Sequence, residues 1–261
     1  MRESIMSNLL VTLTPAEGKR LIAKGLLATD EVQYALEESY LCITLGTTSA
    51  YLVEELVEDY DKTRHIAGLT IPDGLWVTKA ENRNSDQIFH KGERLEDTKV
   101  VDILDDLGPD DVIIKSANAL DVNNVPVILL ASKTGGSIGS FIGAVASKGI
   151  ELLMPLGLEK SIPVAYEEYS ALFGMYEWDH AIGTPVGAIS VHEGTPYTEI
   201  DALRTLFNVD AIPIAAGGVN GAEGSTTLHV EGSPTDVEAA YEFLEAEIKG
   251  EPAFPAIPDL Y

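Results

Sequence analysis

The chain has one cysteine, Cys42, among 261 residues, so no disulfide can form within it. Cys42 lies in the apolar run Leu41-Cys42-Ile43, where a thiol is expected to be buried and inert. Scarce cysteine fits a reducing compartment. There is no run of about 18 apolar residues to span a membrane. Nor does the N-terminus show the basic stretch followed by an apolar one that marks a signal peptide. These absences lead us to expect a cytoplasmic protein.

Cations are also scarce. Lys and Arg number 17 against 42 Asp and Glu, for a formal net charge of -25. Such a surface repels phosphate backbones and anionic lipid, so neither nucleic acid nor membrane is an expected partner. The acids are spread along the chain, which reads as a solvated surface rather than an interaction tail. His65, His90, His180, His192 and His229 lack metal-ligand spacing. No metal is expected, and the pattern calls for no cofactor. Trp76, Trp178 and the tyrosines are scattered and read as packing residues.

What is present is 45% hydrophobic residues, enough for a sizeable core in one large domain or two smaller ones. Residues before Leu10 look loose. Thr14-Pro15-Ala16-Glu17 reads as a capping box with Pro at the first helical position. Thr29-Asp30 reads as a second helix cap. Strand-like runs follow at 41–45, 65–71, 75–78, 111–115, 125–130 and 151–155, with a hairpin at 88–95. Helical patterns fall at 50–57, 100–107 and 138–148. The alternation predicts an α/β fold, Rossmann-like, with a mostly parallel sheet and helices on both faces, over residues 1–184. After Thr184-Pro185 the order strand, helix, strand, strand, helix predicts a small ferredoxin-like α+β domain over 185–251. Residues 252–261 read as an extended Pro-rich tail. Residues 217–224, rich in glycine, read as a lid, a subunit contact or a flexible connection.

Two Gly/Thr/Ser turns each follow a strand-like run and launch a helix. They are Gly46-Thr47-Thr48-Ser49 and Gly135-Gly136-Ser137. Each can offer backbone N–H groups and hydroxyls to an anion at a helix N-terminus, or can simply cap its helix. Lys115, Asn118 and Asp121 follow the buried-type strand 111–115, and ligands gather at strand C-termini in open α/β sheets. Lys115 can pair with an anion or, desolvated, serve as an amine base or nucleophile. Asn118 and Asp121 also fit an Asx turn. Lys133 can reach the same anion or remain a solvated lysine. Glu159 and Lys160 follow the strand 151–155, and Glu159 is the general acid/base candidate or half of a surface ion pair.

The segments 41–51 and 111–121 resemble the strand–turn–helix elements shared by ribose-5-phosphate isomerase A, glucosamine-6-phosphate deaminase and CoA transferases. In that superfamily the first turn is of the Gly-Thr-Gly-Ser-Thr type and binds phosphate. Here Thr48 stands where the second glycine is expected. The second element carries carboxylates in the isomerase, and here Lys115 and Asn118 take two of those places. The resemblance implies a phosphate-binding Rossmann-like fold and departs from the isomerase's acids. The expectation is therefore a protein that binds a small phosphorylated or carboxylated metabolite. It would be an isomerase-like, hydrolase-like or CoA-related enzyme with Lys115, Asp121 and Glu159 in catalytic roles, or a non-catalytic sensor of such a metabolite. A homo-oligomer is an expected assembly.

Overall fold

The computed structural model describes residues 6–172 and 174–257. In chain order the elements begin with β1 (Ser7–Leu13), α1 (Pro15–Leu27), α2 (Asp30–Glu38), β2 (Tyr40–Ile43) and α3 (Thr47–Leu56). Two hairpins follow, β3 (Gly68–Ile71) with β4 (Gly74–Val77), and β5 (Gln87–His90) with β6 (Glu93–Leu95). Next come β7 (Val112–Ile114), β8 (Ala119–Leu120), β9 (Pro126–Leu130), α4 (Gly136–Lys148), β10 (Glu151–Pro155) and the short α5 (Tyr166–Tyr169). The chain continues through β11 (Gly187–Ser190), β12 (Thr195–Tyr197), α6 (Glu199–Phe207), β13 (Asp210–Ala216), β14 (Thr226–Gly232) and α7 (Pro234–Phe243).

The architecture is α/β, built on a mixed sheet in the order β12-β10-β7-β2-β5-β6. Strands β12, β10, β7 and β2 run parallel, with Ile113 between Cys42 and Leu152. Strands β5 and β6 extend the sheet antiparallel. The parallel strands read as unbroken apolar runs because both of their faces are covered. Alternate residues feed two cores, as a strand's period of two requires. Leu41, Ile43, Ile114 and Leu153 pack with Leu21 and Ile22 of α1 and Leu52 of α3. Cys42, Ile113, Leu152 and Met154 pack with Phe141 and Val145 of α4. No helix of the described residues is long and apolar enough to cross a membrane.

The helix starts at Thr14 and Thr29 form as their sequences predict. Thr14 Oγ1 accepts from the Glu17 N–H, and Glu17 Oε2 accepts from the Thr14 N–H. Thr29 Oγ1 accepts from the Val32 N–H.

Two expectations are revised. From Ser7 the loose N-terminal stretch is strand β1, because β14 pairs it antiparallel from Ser7↔Gly232 to Leu13↔Thr226. Residues 1–5 lie outside the described residues. The helix expected at 100–107 is only a 3-10 turn, Val100–Asp102. Beyond it, the carbonyls of Leu104, Asp105 and Leu107 accept from Lys148 Nζ, which leaves no helical ladder to extend.

Position 184 is not a seam in the hydrogen bonding. Strand β11 pairs with β9, β12 with β10, and β14 with β1. Of the strands expected to form a ferredoxin-like unit over 185–251, β11 lies in one sheet and β13 and β14 in another, while β12, which was not expected, joins a third. A two-stranded hairpin is marginal alone, and β11 and β14 are each held by a partner from before residue 184. In the tail, residues up to 257 have no regular structure and Phe254 packs edge-on to Tyr51. Residues 258–261 lie outside the described residues.

Candidate functional site

Three adjacent parallel strands end at one cavity of about 340 Å³. Leu45, Gly46 and Thr47 follow β2, Lys115 to Asn118 follow β7, and Lys160 follows β10. The start of α4, with Gly135, Gly136, Ser137 and Ile138, forms another wall. Leu69, Leu75 and Trp76 of the β3–β4 hairpin line it with apolar surface. The two glycine turns, 89 residues apart in sequence (135 − 46), therefore share one cavity.

Both turns open helices that lack a side-chain cap, since the residue at each N-cap is glycine. Helices α1, α2, α6 and α7 are instead capped by Thr14, Thr29, Thr198 and Ser233. An uncapped first turn leaves backbone N–H groups without intrahelical partners. At Gly46 the N–H donates to His65 O (2.9 Å), so the donors of that turn begin at Thr47. A Cβ at Gly46 would lie 3.0 Å from both Ser116 Oγ and Ser49 Oγ, which explains the glycine. Gly135 and Gly136 have φ of +80° and +62°, a conformation that favours glycine.

The charges in the cavity run against those of the chain. Its lining has Arg83, Lys115 and Lys160 but a single carboxylate, Asp86. Lys115 is 8% exposed, and its ammonium makes neither a hydrogen bond nor a salt bridge to any described residue. Burial pulls its ammonium below the ordinary lysine value, and Asp86 opposes that shift only at longer range. Lys160 Nζ donates to Ala117 O (2.8 Å). Burial draws it down to about 8, with Lys19 and Lys115 adding to the shift and Glu159 opposing it. Burial pushes the Asp86 carboxyl up, against the N–H groups of Val100 and Leu45 and the charge of Lys115. Arg83 Nε donates to Thr78 Oγ1 (2.7 Å). Ser116 Oγ is buried with no hydrogen-bond partner among the described residues.

The predicted site residues divide. Gly46, Thr47, Lys115, Asn118, Gly135, Gly136 and Ser137 line the cavity. Asn118 Oδ1 accepts from the Leu129 N–H (3.0 Å), which tethers it to β9. The others are placed elsewhere. Ser49 turns its Oγ back to Thr44 O (2.7 Å), and Thr48 is buried outside the lining. Lys133 is exposed beside the turn and does not line the cavity.

Asp121 accepts from the N–H groups of Asn123, Val125 and Tyr166, the Asx-turn arrangement. Burial raises its carboxyl pKa, but those bonds and His192 prevail and hold it below the usual range. Glu159 sits outside the lining, with its Oε1 2.6 Å from Lys19 Nζ. Beside it, Glu199 is pushed up to about 7 by burial and by the charge of Glu159. Residues 217–224 join β13 to β14 and contribute nothing to the lining.

Ser116, Asp86 and Arg83 belong to the cavity without having been singled out. Ser116 lies between two residues that were, so its position carried a signal. Asp86 and Arg83 precede β5 in a loop without a motif, and only the pairing of β5 with β2 brings them in. Among the described residues no group of three or more His, Cys, Asp or Glu side chains is placed to hold a metal ion.

No protein-family model matches the chain, and no curated protein matches it in sequence. Among solved structures, it is similar to a chain of the tetrameric eIF2B-beta2-delta2 complex from C. thermophilum, at 12% identity and a TM-score of 0.39. The alignment covers 70% of this chain and 55% of that one, so the chain spans about half the length of the protein it matches. A likeness at that score establishes neither a shared fold nor a shared function.

Proposed function

We propose that the chain binds a small phosphorylated or carboxylated metabolite in this cavity, within a Rossmann-like arrangement of parallel strand ends and helix N-termini. The observation that carries this reading is Lys115, a buried lysine lining a cavity, whose ammonium has no hydrogen bond or ion pair to any described residue. A buried charge without a partner is costly, and a bound anion would remove that cost. In this reading, Lys115 and Lys160 neutralise the anion. The N–H groups from Thr47 onward and those of the α4 first turn receive its oxygens, as helix N-termini do. The Ser116 hydroxyl donates to it. Trp76, Leu69 and Leu75 pack against the rest of the metabolite.

The test is a thermal-shift screen of phosphate esters and carboxylates against uncharged analogues of the same size. A ligand that binds only the native state must raise the melting temperature. Stabilisation by the anions alone, lost in Lys115→Met, is the expected result. Equal shifts by charged and uncharged compounds, or no shift by any, would remove this reading.

A further inference from the structure

The same lysine carries a second consequence. In the helix-covered half of the protein the cations are satisfied. Arg20 contacts Glu54, Glu55 and Glu251, Lys62 contacts Glu54 and Glu251, and Lys19 contacts Glu159. Lys160, across the cavity, has Ala117 O as an acceptor. Of these, Lys115 is the one that is buried, lines the cavity and has no hydrogen-bond acceptor for its Nζ among the described residues. As an ammonium, Lys115 keeps no acceptor until an anion arrives, and burial eases the loss of its proton. A neutral amine so placed is a nucleophile with a free lone pair.

We propose that Lys115 captures a carbonyl, and that the anion taken by this cavity bears an aldehyde or ketone that forms an imine with the Lys115 nitrogen. The proposal rests on the anion-binding reading of the same cavity and narrows the ligand class to carbonyl-bearing phosphates or carboxylates. The division of labour follows from the lining. Lys115 as its ammonium draws the anion in together with Lys160 and the two helix starts, and once it has given up its proton its nitrogen faces the carbonyl carbon. Ser116, with its unpartnered Oγ, follows Lys115 directly in the chain and lines the same cavity. It is placed to donate to the carbonyl oxygen.

The chemistry balances without any oxidant or reductant. The amine lone pair of Lys115 attacks the carbonyl carbon, a C–N bond forms, and the C=O π pair moves onto oxygen. That oxygen takes up a proton while nitrogen loses one, giving a neutral carbinolamine. The C–O bond then breaks as a second proton carries the oxygen off as water, the nitrogen lone pair forms the C=N bond, and the nitrogen gives up its remaining proton. One amine and one carbonyl become one imine and one water. Lys160 and Asp86 are the lining groups that can give and take these protons. Burial favours the neutral form of Lys115, and Lys160, drawn to about 8, can exchange a proton near neutral pH. The apolar wall of Leu69, Leu75 and Trp76 limits water and so slows return of the imine to the free carbonyl.

The experiment uses the full chain and pyridoxal 5′-phosphate as probe, because it joins an aldehyde to a phosphate and its imine absorbs visibly. One equivalent is added near pH 7, the mixture is reduced with borohydride, and labelled peptides are mapped by mass spectrometry. The expected result is one reduced adduct per chain at Lys115, formed at least tenfold faster than at exposed lysines such as Lys133. Excess inorganic phosphate should suppress it, and it should be absent from Lys115→Met. Labelling of exposed lysines at rates equal to or above that of Lys115 overturns the proposal. If phosphate stabilises the wild type while Lys115 stays unlabelled, imine capture fails and the anion site stands. If phosphate neither stabilises the protein nor protects Lys115, and Lys115 is unlabelled, both fail.

Discussion

Two groups of buried cations in this molecule obey opposite rules. On the face covered by α1 and α3, Arg20 has a side chain 11% exposed and three carboxylate partners, Glu54, Glu55 and Glu251. Its guanidinium and the Lys62 ammonium also sit over the Tyr51 ring, 4.8 and 4.3 Å from its centre. At the strand ends, Lys115 is as deeply buried and has no such partner among the described residues. With 42 acids available to 17 cations, a shortage of carboxylates cannot explain the difference. The first group serves the fold. The second lacks a carboxylate partner among the described residues, and the proposed anion site rests on that difference.

The comparison is sharpest in single substitutions. Arg20→Met removes one cation from Glu54, Glu55 and Glu251, which keep Lys62 and Lys24, and is expected to cost about 1–3 kcal/mol of stability, read from urea denaturation. Lys115→Met strands nothing. Its ligand-free stability should equal the wild type's or exceed it by about 1 kcal/mol, since an uncompensated charge is removed. The next effect belongs to the ligand. At a hundredfold excess over Kd, a bound anion should add about 2.7 kcal/mol to the wild type and nothing to Lys115→Met.

Proton linkage supplies the smaller effects. Glu199 has its folded-state pKa raised to about 7 from 4.5. Its contribution to stability is therefore complete below the unfolded value and lost as pH rises through about 7. Glu199→Gln should be more stable than the wild type by about 2 kcal/mol at pH 8 and nearly equal to it at pH 4, compared by denaturation at both. For Lys160 the folded pKa is depressed from 10.5 to about 8. Stability from this group is present above the unfolded value and lost as pH falls through about 8. Anion affinity moves the other way. It should fall on the order of tenfold, or about 1.4 kcal/mol, as Lys160 deprotonates above pH 8, and Lys160→Met should flatten that dependence. Lys133→Ala should change stability by less than about 0.5 kcal/mol and leave anion binding intact, because Lys133 is an exposed residue outside the lining.

Much of the local structure was legible in the sequence, because periodicity and caps act over a few residues. The capping box at Thr14 and Glu17 and the continuous apolar strands β2, β7 and β10 all form where expected. That Lys115 lines the strand-end cavity was legible for the same reason, since it directly follows a buried-type strand. What escaped was set by pairing at a distance. β1 needed β14, and the short Pro-containing β12 needed the edge of β10. Asp86 entered the cavity only because β5 lies against β2. Ser49 and Asp121 show a different limit. Their residue types suited an anion site or a turn equally, and hydrogen bonds to Thr44 O and to three backbone N–H groups decided for the turn.

The central claim is that Lys115 is kept without a protein partner so that an anion can become one. The most direct measurement is paired denaturation of wild type and Lys115→Met, each with and without a panel of small phosphate esters and carboxylates. The account predicts that Lys115→Met is at least as stable as the wild type without ligand and gains nothing from any anion that stabilises the wild type. A Lys115→Met protein that is destabilised as severely as Arg20→Met, or that keeps the full anion effect, would contradict it.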